Sequence, residues 1–189
     1  MSDKKRYPLA EARKTAERLL KMLAPVCERI EIAGSIRRQK PEVGDIELLL
    51  IPRAEMVPDG LFDQKRIDLA DVRIEQLLKR GVLEKRLNTA GFPTWGKQNK
   101  LAIDVFSGIP ADIFATTIEG WFRSIVIRTG PKELNIALIQ SAAKRGVRVH
   151  AYGDCGCEDM RTGKAIPVNS EREFFEICGM PYLEPHERQ

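Results

Sequence analysis

No stretch of this chain stays apolar long enough to cross a bilayer, and no secretory leader is apparent. A membrane-spanning helix is thereby excluded, and the expected setting is a reducing cytoplasm with free thiols. Cysteine is scarce, with four among 189 residues. Cys155 and Cys157 form a C-x-C close to His150. That offers three ligands at poor spacing, whereas structural zinc takes four, usually from more widely spaced cysteine pairs. Cys27 and Cys178 lie in apolar, helix-like surroundings and read as small core residues. Internal repeats and low-complexity linkers are lacking too, so composition marks no sharp boundary. The best candidate for a subdomain border, a soft one, falls at Glu119–Trp121 and divides the chain into 1–119 and 120–189.

What is present is ordinary for a folded protein: 43% hydrophobic and 31% charged residues, enough for one domain or two small ones sharing an interface. A net charge of +4 favours an anionic partner only slightly. Basic residues cluster at Lys4–Arg6 and Arg13–Lys14, which read as solvated surface, and recur at Arg37, Arg38 and Lys40. Apolar spacing predicts helices over Pro8–Leu23, Ile67–Leu78 and Glu133–Lys144, the last two closed by Gly81 and Gly146. Ser170 with Glu173 reads as a capping box for a last helix through Cys178. Strands are expected at Ile30–Ala33, Ile46–Ile51, Val82–Thr89 and Val147–Tyr152. A hairpin is expected from Lys100–Phe106 and Ile109–Ala115 around Ser107-Gly108, and Tyr152–Lys164 reads as a loop.

The informative segment is Gly34-Ser35-Ile36-Arg37-Arg38, followed by Gly44-Asp45-Ile46-Glu47 at the head of an apolar strand. Side chains alternate along a strand, so Asp45 and Glu47 share a face. Adjacent carboxylates repel and need a positive partner, an Arg or a bound cation. Mg²⁺ takes carboxylates together with substrate phosphate oxygens. The Gly34-Ser35 turn adds backbone N–H groups and a hydroxyl, with Arg38 nearby, for phosphate oxygens. A two-metal site calls for a third carboxylate, and the hairpin offers Asp104 and Asp112. With a two-residue loop, Ile103 pairs with Asp112 and Asp104 with Ala111. The two aspartates then face opposite sides of the sheet, and periodicity does not choose between them.

These residues resemble a known family. Gly34-Ser35-x-Arg37-Arg38 with Gly44-Asp45-x-Glu47 resembles the palm signature of family X DNA polymerases, the DNA polymerase beta-like group. Ala111-Asp112-Ile113-Phe114 is similar to the strand bearing that family's third catalytic aspartate, and Arg128-Thr129-Gly130 with Asn135 to its nucleotide-meeting segment. Pro167–Glu171 and Tyr182–Arg188 are similar to its C-terminal tail. The resemblance implies an α+β fold: a nucleotidyltransferase-type palm (1–119), a mixed sheet with helices on one face, and a small α+β thumb-like subdomain (120–189). It implies DNA-directed addition of a dNMP to a primer 3′-hydroxyl in short-gap repair synthesis, with two ions of Mg²⁺ or Mn²⁺. Asp45 and Glu47 would bridge both ions, and Asp112 would hold the one beside the primer. Ser35, Arg38 and the Gly34 and Gly44 backbone would hold phosphates, Thr129-Gly130 the sugar and Asn135 the base edge. Expected partners are a dNTP and primer-template or gapped DNA, with the protein a monomer, off the membrane, in the cytoplasm beside DNA.

Three departures shape the expectation. Glu47 stands where the family's polymerases carry Asp, and one more methylene moves a carboxylate by roughly 1–1.5 Å, a shift of the size that affects rate. Ile127-Arg128 replaces the aromatic pair that screens ribose in vertebrate members. The chain begins at the palm, as in the small viral polymerase of this family, which implies weak, distributive DNA binding. The alternatives are another nucleotidyltransferase, template-independent or directed at RNA or protein, and a degenerate palm that only binds nucleic acid.

Overall fold

The computed structural model describes residues 5–60, 63–150 and 156–189. Among them the chain runs β1 (Tyr7–Pro8), α1 (Leu9–Leu23), β2 (Cys27–Ile32), α2 (Gly34–Arg37), β3 (Glu42–Val43), β4 (Ile46–Pro52), β5 (Ala54–Asp59) and β6 (Asp63–Asp68). It continues through α3 (Leu69–Lys79), β7 (Leu83–Lys85), β8 (Asn99–Asp104), β9 (Pro110–Ala115), α4 (Trp121–Thr129), α5 (Lys132–Lys144), β10 (Val147–Val149), β11 (Cys157–Asp159), β12 (Ala165–Ile166) and α6 (Glu171–Ile177). The chain divides into two compact units, 1–32 with 42–115 and 33–41 with 116–189.

The first unit is built on a five-stranded sheet in the order β2-β4-β9-β8-β7. β4 and β9 run parallel and the other pairs antiparallel, so the sheet is mixed. β4 is an interior strand between β2 and β9, and its unbroken apolar run from Leu48 to Ile51 is buried on both faces. α1 presents Ala12, Ala16, Leu19 and Leu23 to the core as one buried stripe. Lys100, Ala102 and Asp104 alternate onto the helix-bearing face of β8. Lys100 donates to Asp71 of α3 at 2.6 Å, and Arg18 of α1 pairs with the wholly buried Asp104. Leu101 and Ile103 point to the opposite face.

Several boundaries differ from the sequence expectation. Ile67 belongs to β6, not to the following helix, which starts after Asp68. That carboxylate caps the helix by accepting from the Ala70 and Asp71 N–H groups at 2.9 and 3.1 Å. The β5–β6 hairpin lies where no element is expected, because its strands are exposed and charged and carry no apolar alternation. Val82–Thr89 shortens to β7. The β8–β9 connection spans residues 105–109 instead of two residues, so Ala102, not Asp104, pairs with Ala111. Asp104 itself closes this turn, accepting from the Ser107 N–H at 2.9 Å and its hydroxyl at 2.8 Å.

The second unit packs α4, α5 and α6 with a small antiparallel sheet, β10-β11-β12, around Val126, Leu138, Phe174 and Phe175. β11 falls inside the expected 152–164 loop, in a polar stretch where only Cys157 turns inward; positions 151–155, and so Cys155, lie outside the described residues. Ser170 caps α6 as expected, accepting from the Glu173 N–H at 3.0 Å. The reciprocal Glu173 carboxylate reaches one residue further, to the Asn169 N–H at 2.7 Å. Cys27 and Cys178 are buried, although Cys27 opens a strand and not a helix. Burial pushes their thiols up to about 11 and about 12, which leaves them protonated and unreactive at neutral pH.

Candidate active site

In the first unit, the parallel register of β4 and β9 sets Glu47 directly beside Asp112. Neighbouring strands lie about 4.8 Å apart, so the two side chains rise from adjacent points of one face. Asp45 precedes β4 by one residue and shares the face of Glu47 by the two-residue period. All three are partly exposed, while Ile46, Leu48, Ala111 and Ile113, which alternate with them, are buried against the helix-bearing side. The register is two residues away from that expected for the β8–β9 hairpin. A shift of two preserves the face, so Asp112 still points opposite to Asp104. Gly44 is buried immediately ahead of Asp45.

Glu47 and Asp112, set side by side by the register, require compensation, and one source is a residue the sequence reading missed. Arg86, just past β7, donates from Nη2 to Asp112 Oδ1 at 2.5 Å. Its N–H binds the Leu101 carbonyl at 2.9 Å, which places Arg86 opposite the strand partner of Asp112. No spacing rule links positions 86 and 112. The remaining donors are hard carboxylate oxygens, suited to Mg²⁺ or Mn²⁺. Among the described residues no group of three or more His, Cys, Asp or Glu side chains is placed to hold a metal ion by itself. Mg²⁺ sites are characteristically open in this way, with substrate phosphate oxygens and water completing the shell. The donor set therefore fits such an ion. His150 instead pairs with Glu158 at 3.1 Å, and Cys157 is a core residue.

In the second unit, Gly34 opens α2 with φ of +62°, a left-handed conformation that any side chain would strain. Ser35 follows on the same turn, partly exposed. Arg38, at the end of α2, donates from Nη1 to the Thr129 carbonyl at the end of α4. Gly130 has φ of +66°, and a Cβ there would stand 3.2 Å from that same guanidinium nitrogen. Asn135 donates its amide to the Ile127 carbonyl at 2.7 Å, leaving its buried Oδ1 without a protein partner. Arg38, Thr129, Gly130 and Asn135 are thus brought together within this unit.

Arg37, next to Arg38 in the motif, does different work. Its guanidinium donates to both Glu171 oxygens, at 2.5 and 3.0 Å, and to the Thr129 hydroxyl at 2.9 Å. Arg188, one residue from the C-terminus and fully buried, donates to the same carboxylate at 2.8 Å and to the Leu183 carbonyl at 3.0 Å. It also lies over the rings of Phe175 and Tyr182. Burial works to raise the Glu171 carboxyl, but Arg37 and then Arg188 outweigh it and hold the group below the usual glutamate range. A depressed folded value stabilises above the unfolded value, and that stability is lost as pH falls through the folded one. Urea unfolding from pH 6 to pH 3 should therefore show a steep acid loss that Glu171→Gln flattens.

An α+β chain with a mixed sheet, helices on one face and an acidic group on the other has the architecture of a nucleotidyltransferase-type palm, here accompanied by a smaller α+β unit. The DNA polymerase beta palm model matches residues 6–123 and the DNA polymerase beta thumb model residues 124–189, and the chain belongs to the DNA polymerase beta family. It is similar to the DNA polymerase/3'-5' exonuclease PolX of Bacillus subtilis (strain 168), at 28% identity over 97% of this chain and 29% of that protein. DNA polymerase lambda of Arabidopsis thaliana is 26% identical over 84% of this chain and 31% of its own length. DNA polymerase lambda of Rattus norvegicus is 24% identical over 82% and 28%. The chain thus spans about three-tenths of the length of these relatives. Among the described residues no helix is long and apolar enough to cross a membrane.

Proposed function

We propose that the chain is a DNA-directed DNA polymerase of family X type, adding a dNMP to a primer 3′-hydroxyl with release of pyrophosphate in short-gap repair. The observation that carries this reading is the Glu47–Asp112 register, and the two-residue period of a strand assigns Asp45 to the same face. Two divalent ions, when bound, would lower the pKa of the primer hydroxyl and neutralise charge developing on the phosphates. Asp45 and Glu47 would hold both, and Asp112 the one beside the primer terminus. Ser35, Arg38 and the Gly34 and Gly44 backbone are assigned to the β and γ phosphates, Thr129 and Gly130 to the sugar, and Asn135, through its unpartnered Oδ1, to the base edge. The division into palm and thumb-like parts near residue 119 belongs to the same proposal, as do a monomeric state and a dNTP and gapped DNA as substrates. Such residues act mainly by positioning and charge neutralisation.

Primer extension on gapped duplex DNA with Mg²⁺ and with Mn²⁺ tests the reading. Template-directed, single-nucleotide extension is expected. Additions indifferent to template sequence would favour a template-independent transferase, and no incorporation with either metal would remove the reading. Glu47→Asp shortens the reach of one carboxylate and should change the Mn²⁺-to-Mg²⁺ activity ratio by about tenfold or more, given the sensitivity of rate to ångström-scale displacement.

A further inference from the structure

We infer that Arg86 is a built-in competitor for divalent cations at Asp112, so that an arriving ion must displace a guanidinium already in place. This rests on the proposed metal role of Asp112. The geometry is specific: Arg86 lies just past β7, two strands from the β9 strand that carries Asp112, and its Nη2 meets Asp112 Oδ1 at 2.5 Å. The carboxylate side chain is only 14% exposed and the guanidinium side chain 24%, so solvent screens the pair incompletely. The lock is not fully tied, because Arg86 Nε is buried without a hydrogen-bond partner. A guanidinium with an unsatisfied buried donor gains hydration on swinging outward, which makes its release feasible.

The consequence has a sign. With no cation bound, Arg86 neutralises Asp112 and relieves its repulsion with Glu47. Once an ion is bound, the same positive charge opposes it. A unit charge within about 4–6 Å changes the affinity of a carboxylate for a proton by roughly ten- to a thousandfold, and a divalent ion is at least as sensitive. Arg86 therefore holds the Asp112 position weak for metal until substrate oxygens add their own negative charge. It is a positioning residue, acting through Asp112.

Mn²⁺ binding by the full chain, without DNA or nucleotide, is read by electron paramagnetic resonance titration in wild type, Arg86→Gln, Arg86→Met and Arg86→Lys. Arg86→Gln and Arg86→Met should each tighten Mn²⁺ by about tenfold or more, while Arg86→Lys, which keeps the charge, should stay within about threefold of wild type. Adding Asp112→Asn should abolish the gain. The Tm of Arg86→Gln should fall below wild type without metal and recover as Mn²⁺ saturates. Unchanged or weaker Mn²⁺ binding in folded Arg86→Gln and Arg86→Met overturns the inference while leaving the proposed function standing. Wild-type Mn²⁺ binding that ignores Asp112→Asn overturns both.

Discussion

Asp45→Asn should reduce nucleotide incorporation by at least about a thousandfold while leaving the folded protein as stable as before, within about 1 kcal/mol. A carboxylate that holds metal against substrate oxygens contributes several kcal/mol of transition-state stabilisation, and each 1.36 kcal/mol is a factor of ten in rate. Stability should not suffer, because Asp45 is partly exposed and shares its face with Glu47, which itself lies beside Asp112. Removing one charge from such a group lessens repulsion. Asp104→Asn gives the opposite pattern. Asp104 is wholly buried on the other face, holds its own turn and pairs with Arg18. Losing a charge-assisted hydrogen bond at a wholly buried acceptor costs about 1.5–3 kcal/mol, so this variant should unfold at lower urea while its folded fraction keeps its kcat. The two aspartates thus separate a site role from a structural one by steady-state kinetics and equilibrium unfolding in parallel.

Glu171→Ala should destabilise the protein by about 3–5 kcal/mol, among the largest losses available outside the apolar core. The carboxylate serves two guanidinium groups at once. Arg188 is fully buried over Phe175 and Tyr182, and without Glu171 it keeps only its donation to the Leu183 carbonyl among its described polar bonds. Arg37 would lose both contacts to the same group. Arg188→Ala should cost less than the sum of the single losses predicts when combined with Glu171→Ala, since the two act through one network. Chemical denaturation of the two single variants and the double variant measures the coupling.

Much of the frame was legible because it rests on local rules. The unbroken apolar run of β4 announces a strand buried on both faces, and the D-x-E spacing at its head fixes Asp45 and Glu47 to one side. The stripe of α1 and the Ser170 cap are likewise short-range. The hairpin register was misread by two residues, since Asp104 folds back to hold Ser107 and lengthens the loop, yet the period of two kept Asp112 on its face. β5, β6 and β11 escaped because their strands are polar and gain order from pairing. Arg86 and Arg37 escaped for another reason. Their partners lie 26 and 134 residues away, and only folding selects one arginine among many for a particular carboxylate. Arg37 stands beside Arg38 in a motif read as phosphate-binding, but its bonds go to Glu171 and Thr129.

The most direct measurement is a crystal structure with Mn²⁺ and a non-hydrolysable dNTP, using anomalous scattering to locate the ions. Manganese peaks bounded by Asp45, Glu47 and Asp112, with Arg86 withdrawn from Asp112, are expected. Nucleotide bound while Asp112 still faces Arg86, with manganese elsewhere, would contradict a metal site on these strands.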